Sequence, residues 1–183
     1  NRQESLTLLQ QLADASVTLL KGKDLIPQLS ATKRTVIVNL GTATATTFES
    51  EMRKLYQNTL SFNLDKNADE ASVDKVLAQI KSDDQVIVAI VDTRSRPGNN
   101  IPFSSSLKTF IVNMANQNAS FALFANPYNI AGLTGLENAK TLLVAYQKDD
   151  YMQKSAAAVF KNQLIPTGKL PISVSNFKYG AGL

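Results

Sequence analysis

Val86-Ile87-Val88-Ala89-Ile90-Val91 is apolar at every position. A strand without alternation is one covered on both faces, as in the middle of a parallel sheet. This run constrains the chain more than any other feature, because it demands a layer of helices on each side. The rest of the chain supplies them by switching repeatedly between two apolar periods. Strand-like runs recur at Thr35–Leu40, Leu60–Leu64, Phe121–Ala125 and Thr141–Tyr146, and Ile172–Val174 reads as a final edge strand. Between them lie helical stripes: Phe48, Met52, Leu55 and Tyr56; Val73, Val76, Leu77 and Ile80; Leu107, Phe110, Ile111 and Met114; Met152, Ala156, Val159 and Phe160. A first stripe of Leu6, Leu9, Ala13, Val17 and Leu20 predicts an opening helix that ends near Lys21-Gly22, where Gly22 can take a left-handed cap. Asn129–Leu136 is a connection of ambiguous type.

Strands separated by helical segments require crossover connections. The expected fold is therefore a single α/β domain over residues 1–183: a three-layer α/β/α sandwich with a mostly parallel, flavodoxin-like sheet of five to six strands. Ligands of such sheets bind beyond the carboxyl ends of the strands, where the strand order reverses. In the order 2-1-3-4-5, that point lies between the Gly41–Thr47 and Asp92–Asn100 loops.

Composition closes several chemical routes. With no Cys, His or Trp among 183 residues, there is no Ser-His or Cys-His pair, no zinc site of the usual kind and no disulfide. The net charge of +4 is spread from Arg2 to Lys178, with no pure basic run longer than the pairs Lys33-Arg34 and Arg53-Lys54. That is not a nucleic-acid footprint, and no apolar stretch approaches the roughly 20 residues of a membrane span. A chain that starts at Asn1 and enters a helix almost at once is expected to be a processed chain or a segment of a longer one.

The motifs that carry chemistry are incomplete. Gly41 stands alone before Thr42–Thr47, so the dinucleotide fingerprint is absent, and Gly168-Lys169 is followed by Leu170 where a P-loop needs Ser or Thr. No cofactor or metal is expected. Ser105-Ser106-Leu107-Lys108 satisfies Ser-x-x-Lys without its companion elements, and a serine cluster before an apolar helix also serves as a cap. Thr46 or Thr47 is expected to cap the helix of Phe48, and Asp69-Glu70 suits another helix start. Asn118-Ala119-Ser120 matches a glycosylation sequon. Asp92 ends a buried strand, but Asn39-Leu40-Gly41 lacks the acidic pair of a receiver domain. The densest cluster of directional polar groups runs from Asp92 to Asn100 and contains Arg94, Arg96 and Asn99. It reads equally as a solvated loop or as an element that reaches a sugar, a carboxylate or a neighbouring domain.

Four stretches taken in order resemble the C-terminal α/β domain of glycoside hydrolase family 3, in particular its bacterial β-N-acetylglucosaminidase-like branch. They are Leu12–Lys21 with Leu25-Ile26-Pro27, Phe124-Ala125-Asn126-Pro127-Tyr128, Val144-Ala145-Tyr146 with Gln153 and Ala156-Ala157, and Pro166-Thr167-Gly168-Lys169-Leu170-Pro171. The last is the most specific, and the four together cover nearly the whole chain.

The resemblance implies a partner and an activity. Family members hydrolyse terminal β-linked sugars with retention, through a carboxylate nucleophile on an upstream (β/α)8 barrel that this chain does not contain. In the β-glucosidase branch a glutamate acid/base sits in a loop of the C-terminal domain, yet no Glu lies between Glu70 and Glu137. In the N-acetylglucosaminidase-like branch the protonating group is on the barrel, which suits this chain. The expectation is a non-catalytic domain without catalytic residues. It would pack on the barrel and border the sugar site through Asp92, Arg94, Arg96, Asn99, Asn126 and Tyr128. Some relatives continue into a penicillin-binding-type domain, and Lys178–Leu183 is placed to begin that connection. By the same resemblance the protein is expected in the periplasm or outside the cell. The second reading is a stand-alone module that binds a small polar ligand at the switch point.

Overall fold

The computed structural model describes residues 1–183. β1 (Thr18–Lys21), β2 (Thr35–Leu40), β3 (Thr59–Leu64), β4 (Gln85–Val91), β5 (Ser120–Phe124) and β6 (Thr141–Val144) form one sheet in the spatial order β1-β6-β5-β4-β2-β3. All neighbours from β2 to β6 are parallel, whereas β1 runs antiparallel to β6. Setting β1 aside and reading from the other edge gives the expected 2-1-3-4-5 order. The helices are α1 (Arg2–Ser16), α2 (Thr47–Arg53), α3 (Glu70–Leu77), α4 (Ser105–Asn116), the single turn α5 (Asn129–Gly132) and α6 (Asp150–Phe160). No helix is long and apolar enough to cross a membrane.

Period-two alternation of the buried strands feeds two cores. On one face Val36, Val38, Val88, Ile90 and Phe121 meet Val73 of α3 and Leu107, Phe110 and Met114 of α4. On the other, Ile37, Ile87, Ala89 and Phe124 meet Phe48 and Met52 of α2 and Ala156, Ala157 and Phe160 of α6. The Phe48 ring lies 5.4 Å from that of Phe124 and 5.9 Å from that of Phe160, in tilted and edge-on contacts. Between α2 and α6, the Gln153 side chain accepts the Phe48 N–H at 2.8 Å and donates to the Lys148 carbonyl at 2.6 Å.

The helix starts follow the capping rule. Thr46, Asp69, Ser104 and Asp149 each accept the backbone N–H three residues on, at Glu49, Ser72, Leu107 and Met152. The hydroxyls of Thr46 and Ser104 and the carboxylates of Asp69 and Asp149 are thus spent on helix starts.

Two sequence expectations are corrected. The opening helix does not run to Leu20: it stops at Ser16, and Thr18–Lys21 pairs with Leu142–Val144 of β6. Val17, Thr18 and Leu19 are buried. A run with apolar residues at both helical and strand spacings takes the form that finds a partner, and here β6 offers its open edge. Gly22 has the left-handed φ of +102°, but it ends a strand, where an added Cβ would press on the Thr141 side chain. Leu6 and Leu9 of the expected inner stripe are 37% and 46% exposed. The second correction concerns Ile172–Val174, which forms no strand beyond an isolated Val174–Phe177 bridge. Pro166 and Pro171 lack an N–H to donate, and the tail turns back instead on β1. Gly168 N–H donates to the Val17 carbonyl at 3.1 Å and Leu183 N–H to that of Leu19 at 3.0 Å, covering the outer edge of the sheet.

Candidate functional site

The strand order reverses between β2 and β4, and the two loops expected to meet there do so. Gly41, at φ +94°, lets the chain turn directly against the Val91 carbonyl, which an added Cβ would strike. The Thr93 hydroxyl donates to the Gly41 carbonyl at 3.0 Å, and the Phe103 ring packs over Gly41. The cavity left between Gly41, Lys66, Asp92 and Phe103 is about 10 Å³, room for no more than about one water. The switch point of this sheet is therefore filled by its own loops.

The usable space lies further along the same strand ends. A groove of about 510 Å³ runs over the ends of β4, β5 and β6 and is lined by Asp92, Arg94, Ser95, Pro97, Ala125 and the Tyr146–Asp149 turn. Tyr146 has a left-handed φ of +65°, uncommon for a bulky residue. It is held by a 2.6 Å hydrogen bond between its hydroxyl and that of Thr18 in β1. Burial pushes the Tyr146 phenol above its ordinary pKa, and the bond from Thr18 offsets this in part. Lys148 spans the groove to donate to the Thr93 carbonyl at 2.9 Å.

The Asp92–Asn100 loop is ordered from within. Buried Asp92 accepts from Arg94 Nε and Nη2, each at 2.8 Å, and Arg94 Nη1 donates to the Asn100 carbonyl at 3.1 Å. Burial works against the charge on Asp92, but the bonds from Arg94 prevail and hold its pKa below the usual carboxylate value. A second anchor comes from fully buried Asn129, a residue the sequence reading did not single out. Its Oδ1 accepts the Ile101 N–H at 2.8 Å, and its Nδ2 donates to the carbonyls of Gly98 and Asn126 at 3.0 and 2.8 Å. Only a polar residue in the ambiguous Asn129–Leu136 stretch hinted at this role; local pattern carries no sign of a partner 28 positions away.

Of the six sequence candidates, Asp92 and Arg94 meet as a pair, while Arg96 and Asn99 stand exposed on the same loop. Asn126 accepts the Tyr128 N–H at 3.0 Å in a tight turn, leaving Tyr128 42% exposed beside α5. Buried Asn39 donates to Asn63 Oδ1 at 2.9 Å and accepts from the Thr46 hydroxyl at 3.4 Å. Ser105 and Lys108 are both exposed on the first turn of α4, with Ser104 as the cap. Asn118 of the sequon accepts from Lys140 at 2.8 Å, and Ser120 is buried in β5. No cluster of three or more His, Cys, Asp or Glu converges as a metal site would require. The one buried carboxylate at the strand ends, Asp92, has both oxygens taken, so the arrangement offers a rigid polar surface rather than an acid/base pair.

No protein-family model matches the chain, and no curated protein does. Solved structures do. A family 3 β-N-acetylglucosaminidase from Paenibacillus sp. str. FPU-7 is similar over 94% of this chain and 33% of its own, with a TM-score of 0.76 at 19% identity. The β-glucosidase from Listeria innocua in complex with glucose is similar over 87% of this chain and 25% of its own, with a TM-score of 0.70 at 15% identity. A fungal multi-domain family 3 β-N-acetylglucosaminidase is similar over 99% of this chain and 20% of its own, with a TM-score of 0.69 at 16% identity. The chain is thus an α/β domain with the fold of a domain-sized part of family 3 glycoside hydrolases. It spans between a fifth and a third of the length of these enzymes.

Proposed function

We propose that the chain is the C-terminal α/β domain of a family 3 glycoside hydrolase and carries no catalytic group itself. It packs on a barrel that hydrolyses terminal β-linked sugars, with β-N-acetylglucosaminides as the first substrate class to try. The observation that carries this reading is the joint fit of fold and motif. The fold agrees across 94% of the chain with an enzyme of that specificity, and the family-like Pro166–Pro171 turn has a structural task. There Gly168 lies so close to the carbonyls of Ser16 and Val17 that no side chain fits, which locks the last turn onto the junction of α1 and β1.

The role of the Asp92–Asn100 loop follows from its construction. Asp92 and Arg94 stiffen it, and Arg96 and Asn99 are the groups it presents outward, with Asn126 and Tyr128 on the neighbouring strand end. We assign this edge to the mouth of the barrel's sugar site, and the protein to the periplasm or the extracellular space. Lys178–Leu183 would lead on to any following domain. The stand-alone binding module is the weaker reading, since the switch point leaves only about 10 Å³.

The test uses both pieces. The 183-residue chain should not hydrolyse chromogenic β-N-acetylglucosaminides or β-glucosides, whereas the longer polypeptide that carries it should. Turnover by the short chain that disappears on mutation of Asp92 would defeat the proposal, as would an upstream sequence with no barrel and no nucleophilic carboxylate.

A further inference from the structure

Helix α1 is built inside out. Its contact with α6 is polar: Gln10 Nε2 donates to the Tyr151 carbonyl at 3.1 Å and to Ser155 Oγ at 2.9 Å, and Ser155 Oγ donates to Asp14 Oδ1 at 2.5 Å. Ala13 is the one buried residue of the helix. Leu8 and Leu12 point away from that contact, each 55% exposed, and Leu9 on its flank is 46% exposed. A surface helix normally turns its apolar stripe to the core, so a leucine stripe turned away from it marks a contact with something else.

The stripe is not isolated. Leu9 and Leu12 form one wall of a cavity of about 780 Å³, and its opposite wall includes Tyr146, Gln147 and Asp149. The same three residues line the groove that runs to Arg94 and Pro97. One trough therefore crosses the carboxyl-end edge of the sheet, apolar at α1 and polar at the Asp92–Asn100 loop. The strained Tyr146 backbone and its bond to Thr18 fix the ridge at the middle.

We infer that this trough, with Leu9 and Leu12 on its wall and exposed Leu8 beside them on α1 as the apolar anchor, is the surface on which the rest of the parent polypeptide docks. The inference rests on the function proposed above and adds the location of the contact. The occupant is argued from two facts. The solved enzymes that share this fold are about three to five times as long as the part it occupies in them, since it covers 33% to 20% of their chains. The leucine surface is also continuous, through Tyr146–Asp149, with the loop assigned to the sugar site, so one neighbouring body can cover both. A second copy of the chain would have to cover the same edge and exclude the barrel from it.

The chain has no Cys, so single thiols report on each surface in the intact longer polypeptide. Leu12→Cys and Leu8→Cys are compared with Leu55→Cys, which sits just past α2 and is 37% exposed. Maleimide uptake at each position is located by mass spectrometry. Both α1 thiols should react at least about tenfold more slowly than the Leu55→Cys control, independent of protein concentration. Equal rates in a protein that does contain an upstream barrel would overturn this inference while leaving the proposed function intact. Protection that fades on dilution would overturn it in favour of a second copy. A parent chain without a barrel would instead remove the functional proposal on which it rests.

Discussion

The guanidinium of Arg94 closes a two-pronged ion pair on Asp92, with Nε to Oδ1 and Nη2 to Oδ2 both at 2.8 Å, while the carboxylate is buried and the guanidinium is 28% exposed. A carboxyl group held below its ordinary pKa contributes stability that is fully present above about pH 4 and is lost as pH falls through the lowered value. Arg94→Ala should therefore destabilise the domain by about 2 kcal/mol at pH 7, because a buried charge loses its donors. The difference from the parent protein should shrink below pH 4, where Asp92 is protonated in the variant and no longer needs a partner. Urea titrations at the two pH values check this; an equal loss at both would contradict the ion-pair account.

Gly168 carries the turn most similar to the family motif, and its hydrogen position faces the carbonyls of Ser16 and Val17. Gly168→Ala should cost about 3 kcal/mol, since backbone rather than a flexible side chain must move. Gly98→Ala is the control: the new Cβ would meet only Arg94 Nη2, at 3.9 Å, and the change should stay within about 0.5 kcal/mol. Thermal melts of the two variants should differ clearly.

Gln153 joins α6 to the first turn of α2 by bonds to the Phe48 N–H and the Lys148 carbonyl. Gln153→Met keeps the volume and removes both partners. It should lower stability by about 2 kcal/mol, the usual cost of stranding buried backbone groups. A neutral result in denaturant unfolding would mean that water or a shifted helix replaces them.

Asn129 ties the Asp92–Asn100 loop to α5 through Ile101 and Gly98. In Asn129→Ala the Ile101 N–H should exchange about tenfold faster with solvent, with the sheet amides unchanged, because the lost bond governs a local opening. Hydrogen exchange read by mass spectrometry decides the point. In the longer polypeptide, the same variant should raise KM more than it lowers kcat if the loop borders the sugar site.

Much of this domain was legible in the residues. Thr35–Leu40, Ile87–Val91 and Phe121–Phe124 are buried in strands, because β-branched and apolar runs without alternation have few other stable uses. The caps at Thr46 and Asp69 likewise follow from side chains that can satisfy nearby backbone donors. From these local facts came the order of elements, the three layers and the meeting of the Gly41 and Asp92 loops.

Tertiary structure alone decided the rest. Val17 and Leu20 continue the helical stripe by spacing, and the strand at Thr18–Lys21 was decided by β6, more than 120 positions away. That Arg94 turns inward to Asp92 while Arg96 points outward depends on which carboxylate is buried beside it. That Leu8 and Leu12 face away from the core depends on Gln10 and Asp14 bonding to Ser155 across the contact with α6. The sequence determined what each segment is able to bury; only the assembled sheet determined which surface was left over, because burial is settled between elements and not within them.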